Sequence, residues 1–350
     1  MITALALIGL VFIMITALAP EADTPPIGRP LHHTENGFRN TFPTFKPHGG
    51  GAFLKWQWDR LRGQAPEKPE SYDFKMAFND GEALKADADD LRVTWVGHAT
   101  TLVQIEGVNI LTDPIFSERC SPVAFAGPKR KVPPIPAFEN LPRVDAVLIS
   151  HNHYDHLDQD TIKKLGNKPR YFVPLNIGKF LRDLGIKKEN IVELDWWDSA
   201  EFRGLQFHCT PTQHFSGRGL HDTNQMLWCS WAVTGAQRRL YFGGDTGYFP
   251  GFKEIGEKLG PFDLAILPIG AYLPRWFMSP VHVNPPEALQ AFLDVRGRNM
   301  LAIHWGTFDL ADEPMDRPPK DLRAAADSLG IAQERVWVFQ HGETREIAAK

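Results

Sequence analysis

The stretch HNHYDH, residues 151–156, places three histidines and one aspartate within six consecutive positions. The apolar, β-branched run VDAVLIS directly before it predicts a buried strand, and the residues after it predict the start of a helix. His151 and His153 point to the same face while the chain stays extended, whereas Asp155 and His156 come where it turns. Imidazole nitrogens and carboxylate oxygens suit zinc, and also manganese or iron. One metal would use three of these ligands, so four of them indicate two adjacent metals.

Three more candidate ligands lie further along the chain. His214, Asp245 and His304 each follow a short apolar segment with strand character, and two glycines before Asp245 allow close backbone approach. Ligands bind beyond the carboxyl ends of strands in open α/β sheets. The complete set of five histidines and two aspartates is enough for two metals that share one carboxylate.

The order H-x-H-x-D-H, His, Gly-Asp, His resembles that of the metallo-β-lactamase superfamily. Longer stretches resemble the family of N-acylphosphatidylethanolamine-hydrolysing phospholipases D, and the resemblance extends over roughly residues 40–315. The stretches that carry it are LISHNHYDHL (148–157), ELDWW (193–197), GDTGY (244–248), PIGAYLPRWFM (268–278) and IHWGTF (303–308), together with TDPIF (112–116) and GPKR (127–130).

This resemblance implies an α/β fold of the αββα sandwich type with a dinuclear zinc site. The implied ligands are His151, His153 and His214 for one zinc, Asp155, His156 and His304 for the second, and Asp245 as the bridge. The implied catalytic residues are Asp155, Asp245 and His282. The substrate contacts expected with them are His98, Tyr154, Tyr272, Trp276 and His282.

The resemblance also implies a reaction. A water held between two divalent ions loses a proton near neutral pH, and the hydroxide attacks phosphorus in line with the leaving oxygen. In the family the products are phosphatidic acid and an N-acylethanolamine. The family pattern has a glutamine where this chain has Val281, so selectivity for the N-acylated headgroup does not follow from the resemblance.

Composition limits the function classes. The net charge of −4 argues against a general nucleic-acid binder, which would normally be basic. The three cysteines have neither metal-type spacing nor a disulfide framework, so they are expected to be buried thiols. The expected partners are a phospholipid and a membrane surface, and the sequence leaves open whether the chain forms a homodimer.

We predict three parts of the chain: a hydrophobic membrane segment over residues 1–20, an extension over 21–90 and a catalytic domain over 91–345. The first part has no charged side chain and is just long enough to span a bilayer, which favours an uncleaved anchor over a signal peptide. We therefore expect membrane association, with the side of the membrane left open. Residues 52–62 form either an amphipathic helix at the membrane interface or a helix packed on the catalytic domain.

Three functions remain open at this point. The first is a phospholipase D acting on N-acylphosphatidylethanolamine. The second is another hydrolase of this fold, acting on a different phosphodiester or a lactone, because the metal ligands do not separate these reactions. The third is a membrane-tethered lipid-binding protein with an idle site. For His98, a hydrogen-bonded turn residue and a contact to the metal ligands or the substrate are equally open. The segment 272–282 could line an acyl pocket or fill the core.

Overall fold

A computed structural model describes residues 26–46, 48–49, 51–86, 90–219 and 221–347. The hydrophobic segment predicted over residues 1–20 lies outside these residues. Within the described ranges, no helix is both long enough and apolar enough to cross a bilayer.

In the ranges given above, fourteen strands form two seven-stranded sheets. The strands are β1 Leu91–Gly97, β2 Thr100–Ile105, β3 Val108–Thr112, β4 Ala146–Leu148, β5 Arg170–Pro174, β6 Ile191–Leu194, β7 Ser199–Phe202, β8 Leu205–Thr210, β9 Ser230–Thr234, β10 Arg239–Phe242, β11 Phe262–Pro268, β12 Gly297–Ile303, β13 Val336–Trp337 and β14 Thr344–Ile347. The first sheet has the order β14-β1-β2-β3-β4-β5-β6, and the second has the order β13-β12-β11-β10-β9-β8-β7.

Most of the described helices cover the outer faces of the two sheets, whereas the first and the fifth pack on each other. The helices are α1 Ala52–Leu61, α2 Gln159–Leu165, α3 Ile177–Asp183, α4 Gly251–Leu259, α5 Arg275–Met278, α6 Pro285–Asp294 and α7 Arg317–Ser328. Residues of α2 and α3 pack on the first sheet, and residues of α4, α6 and α7 pack on the second. The expected αββα sandwich is therefore confirmed.

Alternation along single strands builds the three apolar layers. In β3, Ile110 faces the core between the sheets, whereas its neighbour Leu111 faces the helices outside. In β11, Leu264 and Ile266 face the same central core, and Ala265 faces α6 on the other side. A strand that is buried on both faces reads as a continuous apolar run, and this is how the central strands appear in the sequence.

The extension predicted over residues 21–90 packs on the catalytic domain through α1. In α1, Phe53 and Trp56 are buried against the segment that contains Phe277 and Met278. The Trp56 indole nitrogen also donates to Asp312 at 2.8 Å. The packed alternative for this helix is therefore observed for one of its faces.

Some predicted elements differ from the structure. The prolines and large apolar side chains of segment 272–282 predict a loop, whereas the structure has the single turn of α5 there. The apolar residues within 335–339 predict a strand over all five positions, whereas the observed strand is limited to β13. The strands β7, β9 and β14 were not predicted.

Candidate metal centre

The predicted metal ligands meet at one edge of the sandwich because their strands end there. His151 follows β4 of the first sheet, while His214, Asp245 and His304 follow β8, β10 and β12 of the second. The last three strands run parallel to one another, so their carboxyl ends share an edge. All seven predicted ligands are buried.

Gly244 allows the turn that carries Asp245 to pack closely against Ser150, which follows β4 of the first sheet. Its φ is +59°, and a Cβ atom at this position would lie 2.6 Å from Cβ of Ser150. A side chain would therefore be strained and would also clash, so both requirements favour glycine.

Three histidines form what we call the imidazole cluster: His151, His153 and His214. Nδ1 of His153 lies 2.8 Å from Nε2 of His151 and 3.3 Å from Nε2 of His214. Neighbouring nitrogens of a tetrahedral zinc site lie roughly 3.3 Å apart, given zinc–nitrogen distances of about 2.0–2.1 Å. The spacing of these three nitrogens fits one metal ion.

Asp155, His156 and His304 form the carboxylate cluster. Oδ2 of Asp155 lies 3.3 Å from Nε2 of both histidines. Oδ2 of Asp245 lies 3.2 Å from Nε2 of His156, 3.3 Å from Nε2 of His304 and 3.9 Å from Nε2 of His214. Asp245 therefore stands between the two clusters, where a bridging ligand would stand.

Several polar atoms at the centre are buried without a hydrogen-bond partner among the described residues. They include Nε2 of His156, Nε2 of His304 and Oδ1 of Asp245. A buried polar atom without a partner costs about 1–3 kcal/mol. A cation that accepts these lone pairs would remove that cost, so the donor set fits a metal.

The two clusters differ in protonation. Burial lowers the pKa of His153 to about 4 and that of His214 to about 3, so both imidazoles are neutral at pH 7. Burial opposes the charged form of His304 as well, but Asp245 and Asp155 outweigh it and raise its pKa to about 9. The same carboxylates hold the pKa of His156 well above its ordinary value despite burial.

Asp113 and Ser150 orient one histidine of each cluster. Oδ2 of Asp113 accepts from Nδ1 of His156 at 2.7 Å and also accepts the Ser150 hydroxyl. The Ser150 oxygen in turn lies 2.9 Å from Nδ1 of His151. Partners of this kind fix the ring and leave the other nitrogen to the metal. The sequence analysis did not assign Asp113, although it follows β3 just as the ligands follow their strands.

His98 contacts the carboxylate cluster. Its Nε2 lies 2.8 Å from Oδ2 of Asp155, and its backbone carbonyl accepts from the His304 amide at 3.0 Å. Burial is the main reason that its pKa falls to about 3. His98 is thus both a hydrogen-bonded turn residue, whose amide donates to the Thr307 hydroxyl at 2.8 Å, and a contact of a predicted metal ligand, and its role with substrate stays a prediction.

His282 lies beside both clusters. Its Nδ1 is 3.9 Å from Oδ2 of Asp245, and the ring lies 5.2 Å from that of His214 and 5.8 Å from that of His304. This nitrogen is buried without a hydrogen-bond partner among the described residues. Arg275 holds the His282 carbonyl at 2.9 Å and pairs with Glu287.

Arg218 supports both ends of the loop that carries the HNHYDH motif, residues 151–156. Its Nη1 donates to the carbonyls of Asn152 and Leu157, both at 2.8 Å. Its guanidinium lies 3.9 Å from the ring centre of Tyr154, and the Tyr154 hydroxyl donates to the Arg218 carbonyl at 2.8 Å. Tyr154, expected to contact substrate, therefore already contributes its hydroxyl to this support.

The other two expected substrate contacts lie apart from the clusters. The Tyr272 hydroxyl donates to Asp321 at 2.6 Å, and its ring is buried. The Trp276 ring packs against His48 and Phe277, with the Lys55 ammonium over its face. Within the described part of the chain, no contact recorded for either residue reaches a predicted metal ligand. Their roles with substrate stay predictions.

The N-terminal arm, residues 26–46, also supports a metal ligand. Nδ2 of Asn40 donates to the His214 carbonyl at 2.7 Å. The Thr44 hydroxyl donates to the Gln213 side chain at 2.7 Å. The sequence analysis missed both contacts, because the arm shows no periodicity and its partners lie far along the chain.

Comparison with known proteins defines the class. Residues 108–305, more than half of the chain, match the β-lactamase superfamily domain. The fold is also that of an isothiocyanate hydrolase from Delia radicum gut bacteria, with a TM-score of 0.59 and 22% identity over 74% of this chain and 100% of that one. The chain belongs to the metallo-β-lactamase superfamily and is a metal-dependent hydrolase of that fold.

Two relatives share about half of their aligned residues with this chain. The chain is 48% identical over 68% of its length, and 71% of the relative's, to N-acyl-phosphatidylethanolamine-hydrolyzing phospholipase D 1 of Caenorhabditis elegans. It is 50% identical over 69% of its length to an uncharacterized protein of Mycobacterium tuberculosis, of which it spans 66%. The resemblance expected from the sequence is thus confirmed.

Proposed function

We propose that this chain is a phospholipase D that hydrolyses N-acylphosphatidylethanolamine with two zinc ions. The observation that carries the proposal is the pair of clusters with Asp245 between them. The name of the nematode relative supports the substrate. When bound, the two ions would act as Lewis acids on the phosphoryl oxygens and lower the pKa of a water to about 7.

The two clusters would have separate roles in metal binding. The imidazole cluster would hold one ion, the carboxylate cluster would hold the other, and Asp245 would contact both. Burial of the whole set keeps bulk water away and strengthens its electrostatic interactions. Asp113, Ser150 and Asn40 keep the ligands in place through the hydrogen bonds described above.

His282 is the residue we assign to proton movement. Its Nδ1 lies 3.9 Å from Oδ2 of Asp245 and has no hydrogen-bond partner among the described residues, so it is free to exchange a proton with a water at the centre. In the hydrolysis, a water oxygen bonds to phosphorus while the bond from phosphorus to the ethanolamine oxygen breaks. The proton taken from that water is returned to the ethanolamine oxygen, giving phosphatidic acid and N-acylethanolamine.

A product assay tests the proposal. Zinc-loaded protein is given N-acylphosphatidylethanolamine in mixed micelles, and the products are identified by mass spectrometry. Asp155→Asn should abolish product formation, because it alters the carboxylate cluster. Asp160→Asn, an exposed carboxylate in α2, is the matched control and should retain full activity. Release of a product other than N-acylethanolamine and phosphatidic acid would contradict the proposal, because it would mean that the bond between phosphorus and the ethanolamine oxygen is not the one cleaved.

One observation favours a second candidate, hydrolysis of another phosphodiester or a lactone. Val281 replaces the glutamine of the family pattern, while its carbonyl accepts from Nδ1 of His214 at 2.9 Å. The backbone contact to a metal ligand is therefore kept although the side chain is apolar. Turnover of a simple phosphodiester or a lactone, with none of the N-acylated lipid, would favour this candidate.

We also propose that α1 contacts the lipid surface. Opposite its buried residues, Leu54, Trp58 and Leu61 are 70%, 60% and 73% exposed. A helix with one apolar face packed on the protein and another in solvent suits the boundary of a bilayer. Membrane association through residues 1–20 remains a proposal of the same kind.

A triple substitution of Leu54, Trp58 and Leu61 by serine tests this surface. It should lower activity on vesicle-embedded substrate at least about tenfold, because each side chain gains about 1.5–3 kcal/mol on full burial. Activity on a short-chain, water-soluble phosphodiester should not change. Leu329→Ser, which alters an exposed leucine after α7, is the control. Equal losses on both substrates would contradict a role at the lipid surface.

A further inference from the structure

The N-terminal arm carries a second group of ligand-type side chains, away from the catalytic centre. His32 and His33 both direct Nε2 at the carboxylate of Asp195, which follows β6. Nε2 of His32 lies 2.7 Å from Oδ1, and Nε2 of His33 lies 2.7 Å from Oδ2. We propose that His32, His33 and Asp195 form a third divalent-metal site, which takes zinc and fastens the arm to the sandwich.

The local fold explains why adjacent histidines converge. Consecutive side chains of an extended segment point in opposite directions. Here the His33 amide bonds to the Pro30 carbonyl, and the Thr34 amide bonds to the Gly37 carbonyl, so the chain turns on both sides of the pair. The rings meet edge to face at 4.6 Å, and His32 also stacks on Trp196 at 4.3 Å. Both imidazoles are thus fixed with their Nε2 atoms toward one carboxylate.

The donor set has the composition of a metal site. Two imidazoles and one carboxylate leave coordination positions open to water, and this set binds divalent first-row metals. The three ligand atoms lie within 4.8 Å of one another. Zinc–ligand distances of about 2.0–2.2 Å put neighbouring ligand atoms of a tetrahedral site roughly 3.3–3.6 Å apart. Opening the 2.7 Å contacts by less than about 1 Å would reach that spacing.

The surroundings suit a small ion. The side chains of the three residues are 9%, 11% and 17% exposed, so the site is shielded but reachable from one side. The Trp196 amide donates to Oδ1 of Asp195 at 2.8 Å, which fixes the carboxylate. Burial opposes the ionised form of Asp195, but the hydrogen bonds with His32 and His33 outweigh it and hold the pKa of the carboxyl below its ordinary value. The carboxylate is ionised at neutral pH.

A metal here would act on the catalytic centre through the arm. Eight residues after His32, Asn40 donates to the carbonyl of His214, which belongs to the imidazole cluster. Between them, Phe38 is buried in the core between the sheets. A fixed arm would therefore hold the backbone of a catalytic ligand in place. This inference does not depend on which substrate the enzyme hydrolyses.

Metal content tests the site. The double variant His32→Gln/His33→Gln keeps side chains that donate to Asp195 but are poor zinc ligands. After equilibration with buffered zinc and removal of unbound metal, we expect three zinc equivalents per wild-type chain and two in the double variant. His221→Gln, an exposed histidine, controls for adventitious surface binding and should keep three.

Two zinc equivalents in both the wild type and the double variant would overturn the proposal. His32, His33 and Asp195 would then be joined by hydrogen bonds alone. A second measurement uses His153→Gln/Asp245→Asn/His304→Gln, which alters both catalytic clusters. Zinc should still raise its unfolding temperature, and adding the two arm substitutions should abolish that rise. An unchanged rise would equally overturn the site. Neither result depends on activity, so failure of the phospholipase assay would be a separate outcome.

Discussion

The imidazole cluster and the carboxylate cluster each take two ligands from residues 151–156, but the two clusters differ in charge. The first consists of three histidines, and burial keeps His153 and His214 neutral. The second contains Asp155, borders Asp245, and holds a histidine whose pKa is raised to about 9. The imidazole cluster thus holds neutral histidines, whereas the carboxylate cluster holds a histidine that the neighbouring carboxylates keep protonated at neutral pH. A metal entering the second cluster must therefore displace protons, and one entering the first need not.

The largest effect should come from removing the residue that joins the two clusters. Asp245→Ala should lower turnover by about a thousandfold or more, beyond the 10–100-fold expected for an outer-shell partner. Metal titration should show weaker binding at both clusters. Weakening at the carboxylate cluster alone would show that Asp245 does not bridge.

The protonation difference predicts a pH effect of about 100-fold between pH 8 and pH 6 for each proton that the metal displaces. Below a pKa of about 9, His304 carries a proton that metal must displace. Between pH 8 and pH 6, affinity at the carboxylate cluster should fall about tenfold per pH unit for each displaced proton. Affinity at the imidazole cluster should be unchanged, since its protons compete only near pH 4 and below.

Calorimetry in two buffers of different ionisation enthalpy counts the released protons. His304→Ala isolates the imidazole cluster, and His214→Ala isolates the carboxylate cluster. Equal proton release in the two variants would contradict the predicted difference in protonation between the two clusters.

Asp113→Asn should weaken metal binding at the carboxylate cluster by about 10–100-fold, the usual cost of losing the partner that orients a ligand histidine. The effect on the imidazole cluster should be smaller, because Asp113 reaches His151 only through Ser150. Competition with a chromophoric chelator in the two single-cluster variants measures both affinities. A larger loss at the imidazole cluster would contradict this order.

Ser150→Ala should have the smallest effect. It removes the hydrogen bond between Oγ and Nδ1 of His151, worth about 1 kcal/mol, or roughly a fivefold loss of affinity at the imidazole cluster. It also removes the hydroxyl that donates to Oδ2 of Asp113. The His156–Asp113 contact remains, so the carboxylate cluster should keep its affinity. The same chelator competition checks this, and Ser279→Ala, in a serine after α5, is the control.

The sequence predicted the parts of the site that depend on local spacing. Four ligands lie within six residues, and the others follow apolar strands, so their positions needed only the strand ends. Asp113 escaped prediction because its role depends on β3 lying beside β4. Asn40 escaped because its partner lies 174 positions away.

The fold was predictable where strands are apolar, and less so at the sheet edges. The unpredicted strands β7 and β14 are edge strands, partly exposed and without a strong apolar pattern. In α1 the pattern showed that apolar residues occur all around the helix. Only packing could decide that Trp56 is buried and Trp58 is exposed.

The region that matches the superfamily domain, residues 108–305, contains every predicted metal ligand but not everything that holds them. Asn40 and His98 lie before it, and so do β1 and β2, while β13 and β14 lie after it. A recombinant fragment cut at those limits would keep all the donor atoms but lose β14, β1 and β2 from one edge of the first sheet and β13 from one edge of the second, together with the arm. The unit that sequence similarity recognises is thus smaller than the unit that must be expressed to study the chemistry.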